Sequence, residues 1–211
     1  ESLEQEIKKS FGDYRILRLD KDVDPLVHRS LDDYDVILGT NYLAKEYYND
    51  ILAQKVGVVG IINSDNLFNI PDFRSTERAW QEIRKIRNLA GALQAEIFIQ
   101  TMRPENKVLQ SIDRPEDFFE EEVAARQSFN YPPFAKLVKL IIQNPSDELA
   151  QETARKIAVD LGAAVPDGVE ILGPYPATPK KIRGQVRILI TLKIPRGLNM
   201  DFLKAFANDI I

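Results

Sequence analysis

VGVVGIINSDNLFNIPDFRSTER, residues 56–78, decides the fold of the first half of the chain. Its first seven residues are Val, Gly or Ile, which predicts a short strand buried on both faces of a sheet. The polar residues 63–66 then predict a loop at the carboxyl end of that strand, where open α/β sheets bind their ligands. Pro71 delays the next helix until Ser75 or Thr76 can cap it. This stretch therefore predicts a strand, a polar loop and a capped helix.

Three more apolar runs predict strands around this unit, and helical patterns lie between them. The runs are YRILRLD at residues 14–20, DVILGT at 35–40 and AEIFIQT at 95–101. The helical patterns cover residues 2–10, 26–31, 41–54 and 76–93. Trp80 lies at helical spacing with other apolar residues, which favours a core position over a platform for stacked DNA bases. Strands that alternate with helices at short intervals predict a parallel, three-layer α/β sheet.

The pattern changes after residue 103. An acidic helical stretch between residues 109 and 130 is followed by Tyr131-Pro132-Pro133-Phe134 (YPPF), which ends it because a residue before proline avoids the helical region. We predict that YPPF is a packed hinge between domains, and a polyproline ligand for a partner is the alternative. Beyond it the order is strand, helix, strand, strand, helix, with Ser146 as a cap, which predicts a small α+β sandwich with helices on one face. The predicted parts are residues 1–103, a helical linker at 104–134 and an α+β domain at 135–211.

The composition excludes several classes of site. The chain has no cysteine, so disulfides and thiolate metal sites are excluded, and His28 is its one histidine. A catalytic triad or a histidine metal site would depend on His28 alone. Asp20, Asp22 and Asp24 lack the glycine and late glutamate of a calcium loop, which favours an ordinary acidic turn. We therefore predict neither catalytic nor metal-binding residues in this chain.

Charge and hydropathy bear on partners and location. The net charge of -4 argues against a uniformly basic nucleic-acid binder, although a local basic patch is compatible with it. No apolar run approaches the roughly 20 residues that a membrane helix needs, and no secretory segment opens the chain. We therefore predict a cytoplasmic protein without membrane contact. The chain begins at Glu1 rather than Met, which suggests an excised piece of a longer protein.

The strongest candidate for binding is the basic segment PKKIRGQVR, on the connection of a predicted hairpin and the strand that follows. Its cations are Lys180, Lys181, Arg183 and Arg187. Lys193 and Arg196 extend the patch. Each cation that neutralises a phosphate releases counterions, which gives affinity that depends on salt and not on base sequence. The segment predicts DNA binding, and a solubilising loop is the alternative.

A second candidate site for DNA follows the DVILGT strand. Thr40, Asn41 and Lys45 offer hydroxyl, amide and ammonium groups, and all three groups suit phosphate oxygens. They predict contacts with a DNA backbone. Because Glu46 is adjacent, the plain start of a helix is the alternative interpretation.

A third candidate site is the segment around Asp72 and Arg74, with Glu77 and Arg78 close behind in the sequence. Alternating carboxylates and guanidiniums after a polar loop predict the lining of a nucleotide or DNA cleft. The alternative is a loop held by local Arg–carboxylate pairs under Phe73.

Several motifs occur in one order along the chain. They are Gly39-Thr40-Asn41-Tyr42-Leu43-Ala44-Lys45, NIPDFR at residues 69–74 with Glu77-Arg78, Ile99-Gln100-Thr101, the acidic helix ending in YPPF, and Leu172-Gly173-Pro174 through Arg187. In this order and spacing, essentially the whole chain resembles the C-terminal portion of the primosomal protein N′ family, the PriA replication-restart DNA helicases. The resemblance implies the second RecA-like helicase lobe, after a zinc-binding cysteine insertion, and then a C-terminal domain that helps to bind branched and single-stranded DNA.

The chain departs from this family at positions that serve ATP hydrolysis. It has no glycine-rich phosphate loop with Lys and Ser or Thr, as expected if the first lobe is missing. Glu46 stands where relatives have glycine. In the run KIRNLAGA at residues 85–92, Leu89 and Ala92 replace two arginines that act as arginine fingers in relatives. The resemblance therefore implies a chain without ATPase activity by itself.

Arg84 and Arg87 lie near the replaced arginines on the same predicted helix. The resemblance implies that the chain holds no cofactor by itself, and that ATP and Mg bind only when a first lobe is joined. Asp72, Arg74 and Arg87 are the nucleotide-binding candidates in that case.

Three functions stay open at this point. The first is the DNA-binding portion of a replication-restart protein that acts on forked or single-stranded DNA. The second is a protein-interaction module that docks replication-restart proteins through the acidic helix and YPPF. The third is half of an active ATP-dependent DNA helicase, with Arg84 or Arg87 supporting hydrolysis once a first lobe is present.

Overall fold

A computed structural model of the chain describes residues 3–20 and 30–210, except the side chains of residues 209 and 210. The chain divides into two compact units, Glu1–Phe118 and Phe119–Ile211. The predicted division at residues 103 and 134 stays a prediction. The acidic turn predicted at Asp22 and Asp24, the start of the helix predicted at residue 26, and His28 lie outside the described residues.

The first unit alternates helices with short strands. Its helices are α1 (Leu3–Phe11), α2 (Asn41–Glu46), α3 (Tyr48–Leu52), α4 (Ser75–Ala92) and α5 (Lys107–Gln110), and α6 (Pro115–Ser128) begins in it. Its strands are β1 (Ile16–Leu19), β2 (Val36–Gly39), β3 (Val58–Ile61) and β4 (Glu96–Ile99). Strand β1 pairs with β2 and β3 pairs with β4, both in parallel. The parallel orientation is confirmed, but in the described part of the chain the strands form two sheets instead of one.

Helix α4 packs on both small sheets. Near its N-terminus, Trp80 is buried in a core with Ile61 of β3 and stacks on Phe118, with ring centroids 4.7 Å apart. Near its C-terminus, Leu89 is buried in a second core with Leu19 of β1. The apolar residues of one long helix therefore contribute to two cores. The predicted core position of Trp80 is confirmed.

The prediction that the strand around residues 58–62 is buried on both faces is wrong. Val58 is 60% exposed, and Phe98 on the paired strand is 59% exposed. Successive side chains of a strand point to opposite faces, and Ile61 is directed into the core with α4. Among the described residues, the β3–β4 pair therefore has helices packed on one face only.

The predicted cap of α4 is also wrong. The helix begins at Ser75 itself, and the residue before it, Arg74, makes no side-chain cap bond. Instead, Asp72 closes a turn just before the helix. Its Oδ1 accepts from the backbone N–H of Arg74 at 2.9 Å, and its carbonyl accepts from the N–H of Ser75 at 2.9 Å. An aspartate that binds the backbone two residues later is typical of such turns.

The second unit is an α+β domain in the predicted order. It contains β5 (Ala135–Asn144), α7 (Asp147–Ala164), β6 (Glu170–Ile182), β7 (Gln185–Pro195) and α8 (Asp201–Ile210). Strand β7 is central and antiparallel to both β5 and β6. Ser146 caps α7 as predicted, since its Oγ accepts from the N–H of Leu149 at 3.4 Å.

One face of this sheet forms the core of the second unit. Ile190 and Leu192 of β7 are fully buried with Leu161 of α7, and Phe206 of α8 packs against them. Burying each such side chain stabilises the fold by about 1.5–3 kcal/mol. Both helices thus pack against one face of the sheet, and neither packs against the opposite face.

Candidate nucleic-acid interface

The basic segment forms the end of the β6–β7 hairpin. Strand β6 continues to Ile182, so Arg183 and Gly184 alone form the turn. Their φ angles are 48° and 80°, and positive φ at both central residues matches the tight turns that join twisted strands. The predicted hairpin is confirmed, but Lys180 and Lys181 lie on the strand and not on its connection.

The hairpin gathers its cations at one end of the sheet but not on one face. Lys181 lies opposite Val186, and directly opposed residues of an antiparallel pair share a face. Val186 packs on Ala150 of α7, so Lys181 begins on the helix side. Arg187 is the next residue on β7 and therefore points to the other side. Lys181 and Arg183 are both exposed.

Lys180 already has an anionic partner. Its Nζ lies 2.5 Å from Oδ2 of Asp147, in the first turn of α7. The hydrogen bond from Lys180 is the main cause that lowers the pKa of Asp147 below its ordinary 3.8, and a bond from Gln151 adds to it. Solvent and salt screen an exposed pair of this kind. A DNA phosphate at this position would have to replace the carboxylate.

Arg187 is held beside the hairpin. Its Nη1 donates to the carbonyl oxygen of Pro179 at 3.5 Å. Its Nε is buried and has no hydrogen-bond partner in the described part of the chain. A buried donor without a partner is unusual in a folded protein. The side chain is therefore directed toward the hairpin with one donor unsatisfied.

Lys193, which the sequence adds to this patch, is not available to DNA. It is 8% exposed, and its Nζ donates to the carbonyl oxygen of Phe129 at 3.0 Å. The same ammonium lies 3.2 Å from Oε2 of Glu170 and 4.6 Å from the ring centroid of Tyr131. The prediction that Lys193 extends the basic patch is wrong, because this side chain on the sheet binds Phe129 and Tyr131, at the start of the YPPF segment. Arg196 is exposed.

Thr40, Asn41 and Lys45 lie together on the first unit, at helix α2. The Oγ1 of Thr40 accepts from the N–H of Tyr42 at 3.4 Å, so Thr40 is the cap, and Asn41 is the first residue of the helix. Lys45 Nζ lies 3.2 Å from the Glu46 carboxylate, and both side chains are exposed. The segment is therefore the start of a helix, as the alternative interpretation predicted. Its contacts with DNA phosphates stay a prediction.

Asp72, Arg74 and Arg87 do not form one site. The guanidinium of Arg74 lies 5.3 Å from the ring centroid of Phe73. Arg87 is more than three turns further along α4, about 20 Å away at 1.5 Å per residue. Its Nε lies 2.5 Å from Oδ1 of Asp113. Helix geometry therefore separates the three nucleotide-binding candidates into two places.

Sequence reasoning missed the partners of the polar loop after β3. Asp65 accepts from the hydroxyl of Thr101 at 3.0 Å and from the N–H of Met102 at 2.7 Å. Ser64 donates to the carbonyl oxygen of Gln100 at 3.0 Å. Because parallel strands end at one edge of a sheet, the polar residues Gln100 and Thr101 at the end of the AEIFIQT run could have signalled this network.

Known proteins resemble this chain along most of its length. A family model described as the primosomal protein N C-terminal domain matches residues 127–210. The replication restart protein PriA of Synechocystis sp. is 32% identical over 201 residues, which cover 90% of this chain and 24% of that protein. The PriA of Borreliella burgdorferi is 29% identical over 195 residues, 88% of this chain and 29% of its own length. The chain matches the C-terminal portion of PriA.

Other PriA proteins match across the whole chain. The PriA of Rickettsia conorii is 26% identical and covers 100% of this chain, while the chain covers 33% of that protein. The chain therefore spans about a quarter to a third of the length of these relatives, and it corresponds to their C-terminal portion. The resemblance predicted from the motifs is confirmed.

The PriA C-terminal match contains the whole β5–β7 sheet and therefore all four predicted hairpin cations. Thr40, Asp72 and Arg87 lie before it, in a part of the chain that this family model does not cover and the PriA relatives do. In the residues that the structure describes, no three His, Cys, Asp or Glu side chains are grouped as metal ligands. Those residues also include no helix that is both long and apolar enough to cross a membrane.

Proposed function

We propose that this chain is the DNA-binding portion of a replication-restart protein and that it binds forked or single-stranded DNA in the cytoplasm. The observation that carries the proposal is the two-residue turn of the β6–β7 hairpin, which presents Lys181 and Arg183 next to Lys180 at one end of the sheet. A chain of net charge -4 has no general attraction for phosphates. Binding would therefore depend on this local group of cations.

The same proposal assigns the first unit to part of a RecA-like helicase lobe. Its parallel strand pairs and the long helix α4 support this assignment. ATP and Mg would bind only with a first lobe present, because the chain has no phosphate loop. The chain alone is then expected to show no ATPase activity. An Arg87→Ala variant of the longer protein tests whether Arg87 supports DNA-stimulated ATP hydrolysis there.

Fluorescence anisotropy with a labelled fork and a labelled single strand tests the DNA-binding proposal. The test variant is Lys180/Lys181/Arg183→Ala. The control is Lys9/Lys55/Lys85→Ala, which removes three exposed cations of the first unit and changes the net charge equally. The hairpin variant should bind far more weakly at low salt, and the control should retain its affinity.

A salt titration measures how many phosphates the hairpin cations neutralise. For a single strand, the slope of log K against log salt falls by about 0.7 for each phosphate that the protein no longer neutralises. A variant that neutralises two to three fewer phosphates should therefore have a slope reduced by between about 1.4 and 2.1. Undetectable binding of the unmodified chain, or equal affinities of the two triple variants, would rule out this assignment.

A second candidate function rests on helix α6. Phe119 and Val123 are four residues apart on this helix, and both are about half exposed. Side chains at this spacing share one helix face, and the glutamates around them give that face an acidic rim. Such a stripe fits a protein partner with a basic, apolar groove. Pull-down after nuclease treatment with a Phe119→Ala/Val123→Ala variant separates the two functions, since only docking predicts DNA-independent partners that the variant fails to retain.

A further inference from the structure

The face of the second sheet that points away from α7 and α8 is organised in rows. Alternate residues of β7 are buried against the helices, so the intervening residues point to the other face. The register then sets their neighbours on β5 and β6. We call this surface the outer face. Its rows are Leu137–Lys193–Glu170, Lys139–Thr191–Leu172, Ile141–Leu189–Tyr175 and Gln143–Arg187.

Tyr175 is the aromatic residue of the outer face and is fixed in place. Its hydroxyl lies 2.6 Å from Oγ1 of Thr191, and the two are hydrogen bonded. The side chain thus reaches from its own row to the next, while the residue stays 39% exposed. A ring held by its hydroxyl loses little conformational freedom when something stacks on it.

Gly173 allows this position of the ring. It has a φ of +102°, and a Cβ there would lie 2.7 Å from the carbonyl oxygen of Leu189 and 2.9 Å from Cδ1 of Tyr175. A residue with a side chain would therefore displace either the strand or the ring. The glycine is part of the arrangement that presents Tyr175.

Apolar surface continues beside the ring. Ile141 lies opposite Leu189, and Leu189 lies opposite Tyr175, so the three share one row. Ile141 is 47% exposed, and Leu189 is half-buried. The row therefore offers a flat apolar strip with an aromatic end.

The charges of the outer face favour an anionic ligand. Lys139 is exposed in the row next to Tyr175, and Arg187 occupies the row on the other side. Glu170 is the one carboxylate in these four rows, and it lies in the far row within 3.2 Å of Lys193. The strip is thus flanked by cations on a chain whose net charge is -4.

We propose that the outer face binds single-stranded DNA, with one base stacked on Tyr175 and with Lys139 and Arg187 at the flanking phosphates. An exposed ring suits any unpaired base, because every base has a π face. A duplex hides these faces in its own stack and would gain nothing from the ring. This inference rests on the proposed function and deepens it, since it adds a second contact surface beyond the hairpin and names the residue on which a base stacks.

Affinity measurements with a 15-nucleotide single strand and the matching duplex test the inference. Tyr175→Ala should lower single-strand affinity roughly ten-fold, the usual effect of removing one stacked base, and leave duplex affinity unchanged within two-fold. The control is Tyr14→Ala, an exposed tyrosine of the first unit. Ile141→Glu changes an exposed residue with little risk to folding and should also weaken single-strand binding. Unchanged single-strand affinity in Tyr175→Ala, or an equal reduction with duplex, overturns the proposal.

Two further readouts identify the stacked base itself. A single strand carrying 5-bromodeoxyuridine should crosslink to Tyr175 under ultraviolet light, and crosslinks confined to the hairpin would contradict base stacking. Tyr175→Ala should also leave the salt slope unchanged, whereas Lys139→Gln should reduce it by about 0.7.

The outcomes separate this inference from the proposed function. If the hairpin variant binds weakly but Tyr175→Ala binds normally, the hairpin assignment stands and the outer face is wrong. If only Tyr175→Ala has reduced single-strand affinity, the outer face stands and the hairpin assignment is wrong.

Discussion

Lys193 should stabilise the second unit through interactions that its neighbours cannot replace. The residue is 8% exposed, and its ammonium lies between the Phe129 carbonyl, Glu170 and the Tyr131 ring. Lys193→Met keeps most of the aliphatic stem and removes the charge. We expect this variant to lower the free energy of unfolding of the second unit by about 1–2 kcal/mol, because the favourable interactions of the ammonium outweigh its desolvation.

The magnitude follows from three favourable interactions and one cost. A hydrogen bond from a charged donor contributes about 1.5–3 kcal/mol, and a cation over an aromatic ring about 0.5–2 kcal/mol. The ion pair adds at most about 1 kcal/mol, since the side chain of Glu170 is 48% exposed. Desolvation of the ammonium offsets several kcal/mol of this sum. Because Lys193→Met leaves the Phe129 carbonyl and one carboxylate without their partner, the variant should still be less stable.

Urea unfolding followed by far-UV circular dichroism measures the change, and hydrogen exchange at residues 126–134 locates it. Lys136→Met is the matched control, because Lys136 is an exposed lysine on β5 of the same sheet. A surface change of this kind stays within about 0.5 kcal/mol. If Lys193→Met is as stable as this control, desolvation cancels the favourable interactions and the reasoning is refuted. Faster exchange at residues 126–134 in Lys193→Met alone is the local signature expected.

Three further predictions follow from the geometry. Asp147→Asn should tighten DNA binding a few-fold at low salt, measured by anisotropy, because it frees Lys180 from its carboxylate partner. Asp35 has its pKa lowered from 3.8 to about 2, chiefly by hydrogen bonds from Arg15, so this pair stabilises the fold above about pH 4 and its contribution is lost as pH falls toward 2. Asp35→Asn should therefore be less stable at pH 7 and lose less stability between pH 4 and 2 in thermal unfolding. Gly173→Ala should destabilise the second unit by about 1–3 kcal/mol in urea unfolding, because its φ is +102° and the added Cβ would meet a strand carbonyl at 2.7 Å.

Local signals predicted the second unit well. Apolar runs marked β5 and β7, and the hydroxyl of Ser146 before an acidic first turn marked the start of α7. The hairpin was predictable because Arg183-Gly184 supplies the glycine that a two-residue turn favours. Each of these signals lies within a few residues of the structure that it specifies.

The sequence could not predict the burial and the neighbours of residues that depend on tertiary structure. From the sequence, Lys193 is one more basic residue near the hairpin. In the structure it lies on the central strand and is buried against the YPPF segment. Val58 reads as core because it is β-branched, but a strand with helices on one face leaves it exposed. No local pattern marks Tyr175, because its place in one row with Leu189 and Ile141 depends on the register of three strands. Burial and neighbours across a sheet are not encoded at any one position.

Arg187 connects the two proposed contact surfaces. It belongs to the outer face by register, yet its guanidinium donates to the Pro179 carbonyl at the base of the hairpin. If both surfaces bind one DNA strand, binding at one surface raises the effective concentration of the strand at the other, so their joint affinity exceeds either alone. Groups joined in this way also fail to contribute additively. Removing Arg187 should therefore weaken binding more in the unmodified chain than in a chain whose hairpin cations are already gone, whereas independent surfaces would give equal reductions.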